Sequence, residues 1–157
     1  MSAIIVPVGD NQSDPRIGNV EAHRKHLEKY DKVFWNFSPG GDKSNKVTQW
    51  KHPNIGNGYF YFKNSQTIDY KFTIEYVKLI RELDIKNTSI KNWIPSWRNK
   101  FFDPTVNGPP DYDNNAYAIL ITNIIPLNPP KHKTDFVLES LGKSPKTIRN
   151  AIFVEGS

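Results

Sequence analysis

The stretch "YKFTIEYVKLI", Tyr70 to Ile80, alternates apolar and polar side chains along most of its length. Alternation with a period of two is typical of a β-strand with one buried face. The segment "AYAILITNIIPL", Ala116 to Leu127, is more uniformly apolar and runs into the proline-rich "PLNPP". It predicts a second long strand, which should stop at the prolines. Together these segments predict that a β-sheet forms the core of the fold.

Shorter elements are predicted around these two strands. Further strands are expected at Ala3–Gly9, Lys32–Phe37, Gly58–Phe62 and Asn150–Glu155. A helix is predicted at Val20–Tyr30 with Asn19 as its N-cap, and a short helix at Lys133–Gly142. Long loops separate the strands, and Pro95 prevents a long regular helix over residues 86–102. The pattern predicts an α+β fold, a small mixed β-barrel of about six strands with two or three short flanking helices.

Length and composition predict one globular domain, residues 1–157, with 37% hydrophobic and 24% charged residues. No apolar run approaches the roughly 18–20 residues of a membrane span, so no membrane partner is expected. The N-terminus lacks the layout of a signal peptide. The chain has no cysteine, which excludes disulfides and thiolate metal sites and favours a cytoplasmic protein.

The net charge of the whole chain is +5. Two windows of the sequence carry basic residues without any acidic ones. Neither Lys43–Ile68 nor Ile85–Phe102 contains a carboxylate, and together they hold every tryptophan except Trp35. Basic residues interleaved with aromatic ones suit single-stranded or flipped nucleotides. A solvated basic face with tryptophans turned into the core explains the same pattern, and the residues alone leave both open.

Motifs for catalysis or metal binding are incomplete. "GGDKS", Gly40 to Ser44, lacks the spacing of a phosphate-binding loop. His23 and His26 share a helix face but have no third ligand nearby, and Asp69-Tyr70-Lys71 stands in the wrong order for a metal-dependent nuclease. No nucleophile elbow is present. The sequence therefore predicts no enzymatic activity, no cofactor and no metal.

The polar residues beside Trp35 suggest a pocket. A flipped base is held between flat apolar groups while polar atoms read its edge, and Asn36 and Ser38 follow Trp35 closely. The expected phosphate contacts lie in the two basic windows: Lys43, Lys46, Trp50, Lys51, Lys91, Arg98 and Lys100.

Four segments together resemble the PUA-like superfamily, and within it the YTH and EVE domains that bind modified bases. They are "KYDKVFWNFS" (29–38), "YFYFKNS" (59–65), "NWIPSWRNKFF" (92–102) and "YAILITNIIPLNPP" (117–130). Their order and spacing match over roughly residues 3–130. The chain departs from these families after the first strand, where Val8-Gly9 replaces a common Lys-Ser and the following loop is longer.

The resemblance implies an aromatic cage around a methylated base. Trp35 and Trp93 would be its walls, and Trp97 would pack beside them in the core. Residues at the end of the first strand, Gly9, Asp10 and Asn11, would line the same pocket.

The resemblance also implies a nucleic-acid partner, with DNA favoured over RNA. EVE-like domains occur at the N-terminus of McrB-type restriction proteins, so the chain is expected to be the recognition part of a larger protein that works with further domains or a nuclease subunit. The alternatives are an RNA-binding PUA-like domain, an ASCH-like enzyme acting on a small nucleoside, and a structural domain whose tryptophans are all core.

Overall fold

A computed structural model of the chain describes residues 2–9, 15–38, 55–107, 112–113, 115–138, 142–145, 148 and 151–155. These residues belong to two compact units. Unit 1 comprises Met1–Gly9, Pro39–Ile74 and Ile124–Ser157, and unit 2 comprises Asp10–Ser38 and Glu75–Asn123. The prediction of a single domain stays a prediction.

The described residues contain six strands in one mixed sheet with the order β2-β5-β4-β3-β1-β6. The strands are β1 (Ser2–Val8), β2 (Val33–Phe37), β3 (Asn57–Phe62), β4 (Thr67–Leu79), β5 (Tyr117–His132) and β6 (Ile152–Glu155). The α-helices are α1 (Val20–Tyr30), α2 (Thr88–Trp93), α3 (Asn99–Phe102) and α4 (Pro104–Asn107). The prediction of an α+β fold with about six strands and short helices is confirmed, and the PUA-like barrel remains a prediction.

Unit 1 is built around β1, which pairs in parallel with β3 and antiparallel with β6. Alternate residues of these strands point to the same side of the sheet. On one side Ala3 and Ile5 pack with Tyr59 and Tyr61, and all four are buried. This cluster forms the core of the unit.

Gly58 is a point of close packing between β3 and β4. A Cβ added there would overlap the ring of Phe72, its partner across the strand pair, whereas no described atom lies within 4 Å of a Cβ at Gly56. We expect Gly58→Ala to lower the free energy of unfolding by about 1–3 kcal/mol, because the ring must leave its rotamer. Urea unfolding measures this, with Gly56→Ala as the matched control. Equal stability of the two variants would contradict the packing.

Unit 2 contains α1, which begins and ends as its sequence predicts. The side chain of Asn19 accepts a hydrogen bond from the backbone N–H of Ala22, and Asp31 ends the helix in the left-handed conformation with φ 69°. Next to it, Phe34 of β2 packs in a buried cluster with Leu120 and Phe102. The helix and this cluster hold the segments that form the site described below.

Two predicted elements differ from the structure. β5 runs on to His132, through the prolines that were expected to stop it. Its pairing with β2 ends at Ile121, and beyond that point a proline costs no hydrogen bond to β2. The predicted helix at Lys133–Gly142 is also wrong over its described part, where a single 3₁₀ turn at Lys133–Asp135 is followed by a bridge from Leu138 to Val154.

Among the helices of the described residues, none has the length and apolar character to cross a membrane.

Candidate functional site

One face of α1 carries a row of rings at helical spacing. His23, His26 and Tyr30 follow one another at intervals of three and four residues, which places them on the same side of the helix. The His26 and Tyr30 rings lie 4.7 Å apart. Trp97 meets this row edge-on, with its centroid 5.4 Å from His23 and 6.1 Å from His26. Side chains from distant parts of the chain thus form one aromatic group.

Arg98 lies beneath this row, and it is almost fully buried at 2% exposure. Its guanidinium carbon is 3.8 Å from the centroid of the Trp35 ring. Its nitrogens donate to Nε2 of His23 at 2.7 Å, to Oδ1 of Asn36 at 2.6 Å and to the backbone oxygen of Ile17. Within the described residues no carboxylate pairs with it, so its charge is held by neutral acceptors and an aromatic face.

Burial and charge determine the protonation of this pair. Desolvation, reinforced by the charge of Arg98, lowers the pKa of His23 to about 2. The imidazole is therefore neutral, and it donates from Nδ1 to the backbone oxygen of Asn19 at 2.6 Å while Nε2 accepts from Arg98. Burial lowers the pKa of Arg98 to about 9, which leaves the guanidinium charged at neutral pH.

The structure corrects the predicted cage. Trp35 is only 4% exposed, and its ring contacts His23 and the Arg98 guanidinium. Trp93 instead packs near Phe34, in the cluster that lines the opposite face of β2. Because neighbouring side chains of a strand point to opposite faces, Trp35 and Trp93 do not form the two walls of one pocket.

Three residues predicted near the pocket or the phosphates have other surroundings. Arg98 was expected on the surface against phosphates, and this prediction is wrong because its guanidinium is buried. The Asn36 side chain, expected to read the edge of a base, accepts a hydrogen bond from Arg98. Trp97 was expected in the core, but it is partly buried and lines a cavity.

A cavity of about 600 Å³, here called the Trp97 cavity, lies between the second half of α1 and the segment from Lys91 to Asp103. Its ring-bearing walls are His26, Tyr30 and Trp97. Apolar area comes from Ile85 and Ile94, and amide or hydroxyl groups come from Asn92, Ser96 and Asn99. The cavity therefore combines flat apolar walls with hydrogen-bonding groups.

The charged groups of the Trp97 cavity are two lysines, Lys29 and Lys91, and one carboxylate, Asp103. Both lysines are exposed. Burial lowers the pKa of His26, whose Nε2–H donates to the backbone oxygen of Asn92 at 2.7 Å and joins α1 to α2. At neutral pH this histidine adds no charge, so the lining is net positive.

The Trp97 ring is held by packing. Its indole Nε1 is buried and has no hydrogen-bond partner among the described residues. The guanidinium carbon of Arg16, an exposed residue, lies 5.3 Å from the ring centroid. Trp97 is thus placed by its neighbours and by the buried Arg98 that follows it in the chain.

Unit 1 has a separate group of cations on an aromatic ring. The ammonium nitrogens of Lys71 and Lys131 lie 5.8 and 5.7 Å from the ring centroid of Tyr59. Neither lysine forms an ion pair with another described residue. Burial raises the pKa of Tyr59, so the phenol stays neutral. Sequence analysis did not single out this group.

The other predicted residues have varied surroundings, and several fall outside the described residues. Ser38 is exposed. Gly9 belongs to unit 1, where a Cβ would meet the side chain of Lys63. The Lys100 ammonium lies 5.3 Å from the Phe101 ring centroid, and Lys91 lines the cavity as described above. The predictions that fall outside the described residues concern Asp10, Asn11, Lys43, Lys46, Trp50 and Lys51.

Sequence analysis missed most of the lining of the Trp97 cavity. One signal was present, because His23, His26 and Tyr30 follow one helical face. Sequence analysis considered the histidines as metal ligands and did not connect them with the ring of Tyr30. In the described part of the chain, no group of three or more His, Cys, Asp or Glu side chains is placed to hold a metal ion.

Comparison of the chain with models of protein families, with curated proteins and with solved structures found no match.

Proposed function

We propose that this chain is a non-catalytic nucleic-acid-binding module that takes one unstacked base into the Trp97 cavity. The observation that carries the proposal is the composition of this cavity, in which aromatic walls, amide groups and two exposed lysines occur together. Each of these features matches one part of a nucleotide: the base face, the base edge and the phosphate.

The size of the cavity suits this ligand. Small-molecule sites generally measure about 300–1,000 Å³, and the Trp97 cavity holds about 600 Å³. The rings of Trp97 and Tyr30 offer π-faces on which a base can stack, which contributes roughly 1–3 kcal/mol per base. Taking a base out of a duplex costs a few kcal/mol. Stacking alone therefore only offsets flipping, and contacts to the phosphates must supply the remaining affinity.

Cations are positioned to supply that affinity. Lys29 and Lys91 belong to the cavity lining, and both side chains are exposed. Each phosphate neutralised by such a lysine releases a counterion, so binding should weaken steeply with salt.

The preference for DNA and for a methylated base rests on the resemblance to YTH and EVE domains. A methyl group would add apolar area that Ile85 or Ile94 in the lining can cover. We therefore propose modified DNA as the partner, in a role of recognition within a restriction system. Tighter binding of RNA with the same sequence would instead favour contacts to the 2′-OH.

We expect Trp97→Ala to weaken nucleic-acid binding about tenfold, because the base loses its stacking surface. The measurement is fluorescence anisotropy at two salt concentrations. The probes are single-stranded and duplex DNA, unmodified or carrying methyladenine or methylcytosine, and RNA of the same sequence. Melting curves show whether each variant folds. Loss of binding with Trp93→Ala but not with Trp97→Ala would contradict the proposed site.

A charge variant keeps this test decisive if Trp97→Ala does not fold. The double variant Lys29→Gln, Lys91→Gln changes only exposed side chains. For single-stranded DNA, the plot of the logarithm of the association constant against the logarithm of the salt concentration has a negative slope. The double variant should make this slope less steep by about 1.4, which is about 0.7 for each phosphate that a lysine no longer neutralises. The matched control is Lys25→Gln, Lys86→Gln, whose exposed lysines lie outside the cavity lining. Equal slopes for the two double variants would contradict binding at this site.

A further inference from the structure

His26 is held in the wall of the Trp97 cavity through one of its two ring nitrogens. Its Nε2 lies 2.7 Å from the backbone oxygen of Asn92. Because a carbonyl oxygen only accepts hydrogen bonds, Nε2 carries a hydrogen whether the imidazole is neutral or charged. Nδ1 has no hydrogen-bond partner among the described residues. It is therefore the nitrogen that gains a proton in acid and that can bond a ligand.

The surroundings of His26 disfavour a charged ring. Burial is the main cause that lowers its pKa, and the charge of Lys29 adds to the effect. The charged and titratable groups on the elements packed around the ring are His23, Lys29 and Tyr30 on α1, Lys91 on α2, Arg98 next to Trp97, and Asp103 after α3. Three of these groups are cations and one is a carboxylate. A negative charge placed beside the ring would therefore favour its protonation.

The proposed ligand brings such a charge, because every nucleotide of a strand is flanked by phosphates. A neutral imidazole offers Nδ1 only as an acceptor, and a phosphodiester has no hydrogen to donate to it. An imidazolium instead donates from Nδ1–H to a phosphate oxygen in a charge-assisted hydrogen bond. Binding of a phosphate at this ring would thus raise the pKa of His26.

The sign of the pH dependence follows from this difference. Between the pKa of His26 in the free protein and its higher pKa in the complex, the complex holds one proton that the free protein lacks. Lowering the pH through that range therefore strengthens binding.

We propose that His26 is a phosphate-binding residue of the Trp97 cavity, and that its imidazole takes up one proton from solvent as Nδ1–H donates to a phosphate of the bound strand. This inference rests on the proposed function, because it names the group that holds the phosphate beside the bound base.

The test measures anisotropy with a labelled thymine-only DNA strand at pH 7.5, 6.5 and 5.5 and constant ionic strength. Neither thymine nor a phosphodiester changes its protonation in this range. Wild type should bind about fivefold more tightly at pH 5.5 than at pH 7.5, since each unit by which binding raises a pKa contributes up to about tenfold in affinity. His26→Gln should bind equally at both pH values, because an amide can donate to Asn92 without titrating.

The matched control is His132→Gln. His132 is an exposed histidine of unit 1 that is not in the lining of the Trp97 cavity, so this variant should keep the pH dependence of wild type. Circular dichroism at each pH shows whether the proteins are folded. An NMR titration of the His26 ring in wild type needs no variant, and the pKa should be higher with the strand bound than without it.

A pH dependence that His26→Gln removes, together with a raised pKa of His26 in the complex, supports the inference. Binding that requires Trp97 but does not change with pH, or changes equally in His26→Gln, overturns the inference and leaves the proposed function standing. Absence of binding to the thymine strand and to the modified and unmodified DNA and RNA strands at every pH overturns both.

Discussion

Replacing Arg98 with alanine should lower the free energy of unfolding by about 2–4 kcal/mol. The guanidinium satisfies three acceptors, on His23, Asn36 and Ile17. Alanine leaves these acceptors buried without a donor, and each unsatisfied group costs about 1–3 kcal/mol. Release of the buried charge offsets part of this cost. Urea unfolding followed by tryptophan fluorescence and circular dichroism measures the change.

Two further variants show what Arg98 contributes. Arg98→Lys keeps the charge, but a single ammonium cannot reproduce the fork of the guanidinium, so we expect an intermediate loss of stability. Arg81→Ala removes an exposed arginine and its bond to Asn115, and it should change stability by no more than about 0.5 kcal/mol. Equal stability of Arg98→Ala and Arg81→Ala would show that the guanidinium is not buried in solution.

Acid should destabilise the protein because the buried imidazole of His23 takes up a proton far less readily in the folded chain than in the unfolded chain. His23 has a pKa of about 2 in the folded chain against an ordinary value of 6.5. Between these pH values the unfolded chain binds a proton that the folded chain does not, so stability is complete above pH 6.5 and falls as the pH is lowered. The slope is at most about 1.4 kcal/mol per pH unit. From pH 6.5 to 4.5 the expected loss is about 2–3 kcal/mol.

Urea unfolding at pH 7.5, 5.5 and 4.5 measures this loss. Protonation of Asp103 contributes little at these pH values, because hydrogen bonds from Thr105 lower the pKa of its carboxyl group below the ordinary value. His23→Gln should flatten the dependence, since a glutamine amide can accept from Arg98 and donate to Asn19 without titrating. His26→Gln, the control, should have a smaller effect because His26 is only partly buried. If the free energy of unfolding fell equally with pH in wild type and in His23→Gln, the lowered pKa of His23 would be contradicted.

Local features of the fold were predictable from the sequence. The Asn19 cap and the pattern of Val20–Tyr30 predict α1 with its observed bounds, because both signals act within a few residues. The alternation in Tyr70–Ile80 likewise predicts β4. Prolines were a poor guide to the end of β5, because their cost depends on which strand lies beside them.

The site was less predictable because its contacts are distant in the sequence. Arg98 bonds residues that are 62, 75 and 81 positions away. A basic residue in a window free of carboxylates is usually on the surface. The residues next to Arg98 in the sequence do not indicate that its guanidinium is buried against His23 and Asn36. Similarly, the neighbours Phe34 and Trp35 are predicted to face opposite ways, but the sequence does not say which face Trp93 joins.

The position of β1 has a consequence for the order of synthesis. This strand is made early, yet its neighbours are β3, whose paired residues begin at Gly58, and β6, which ends at Glu155. Until the ribosome has released β6, the backbone of an apolar strand keeps an open edge, and such an edge can pair with another chain. The four-residue strand β6 is therefore the last element needed to close this edge of β1.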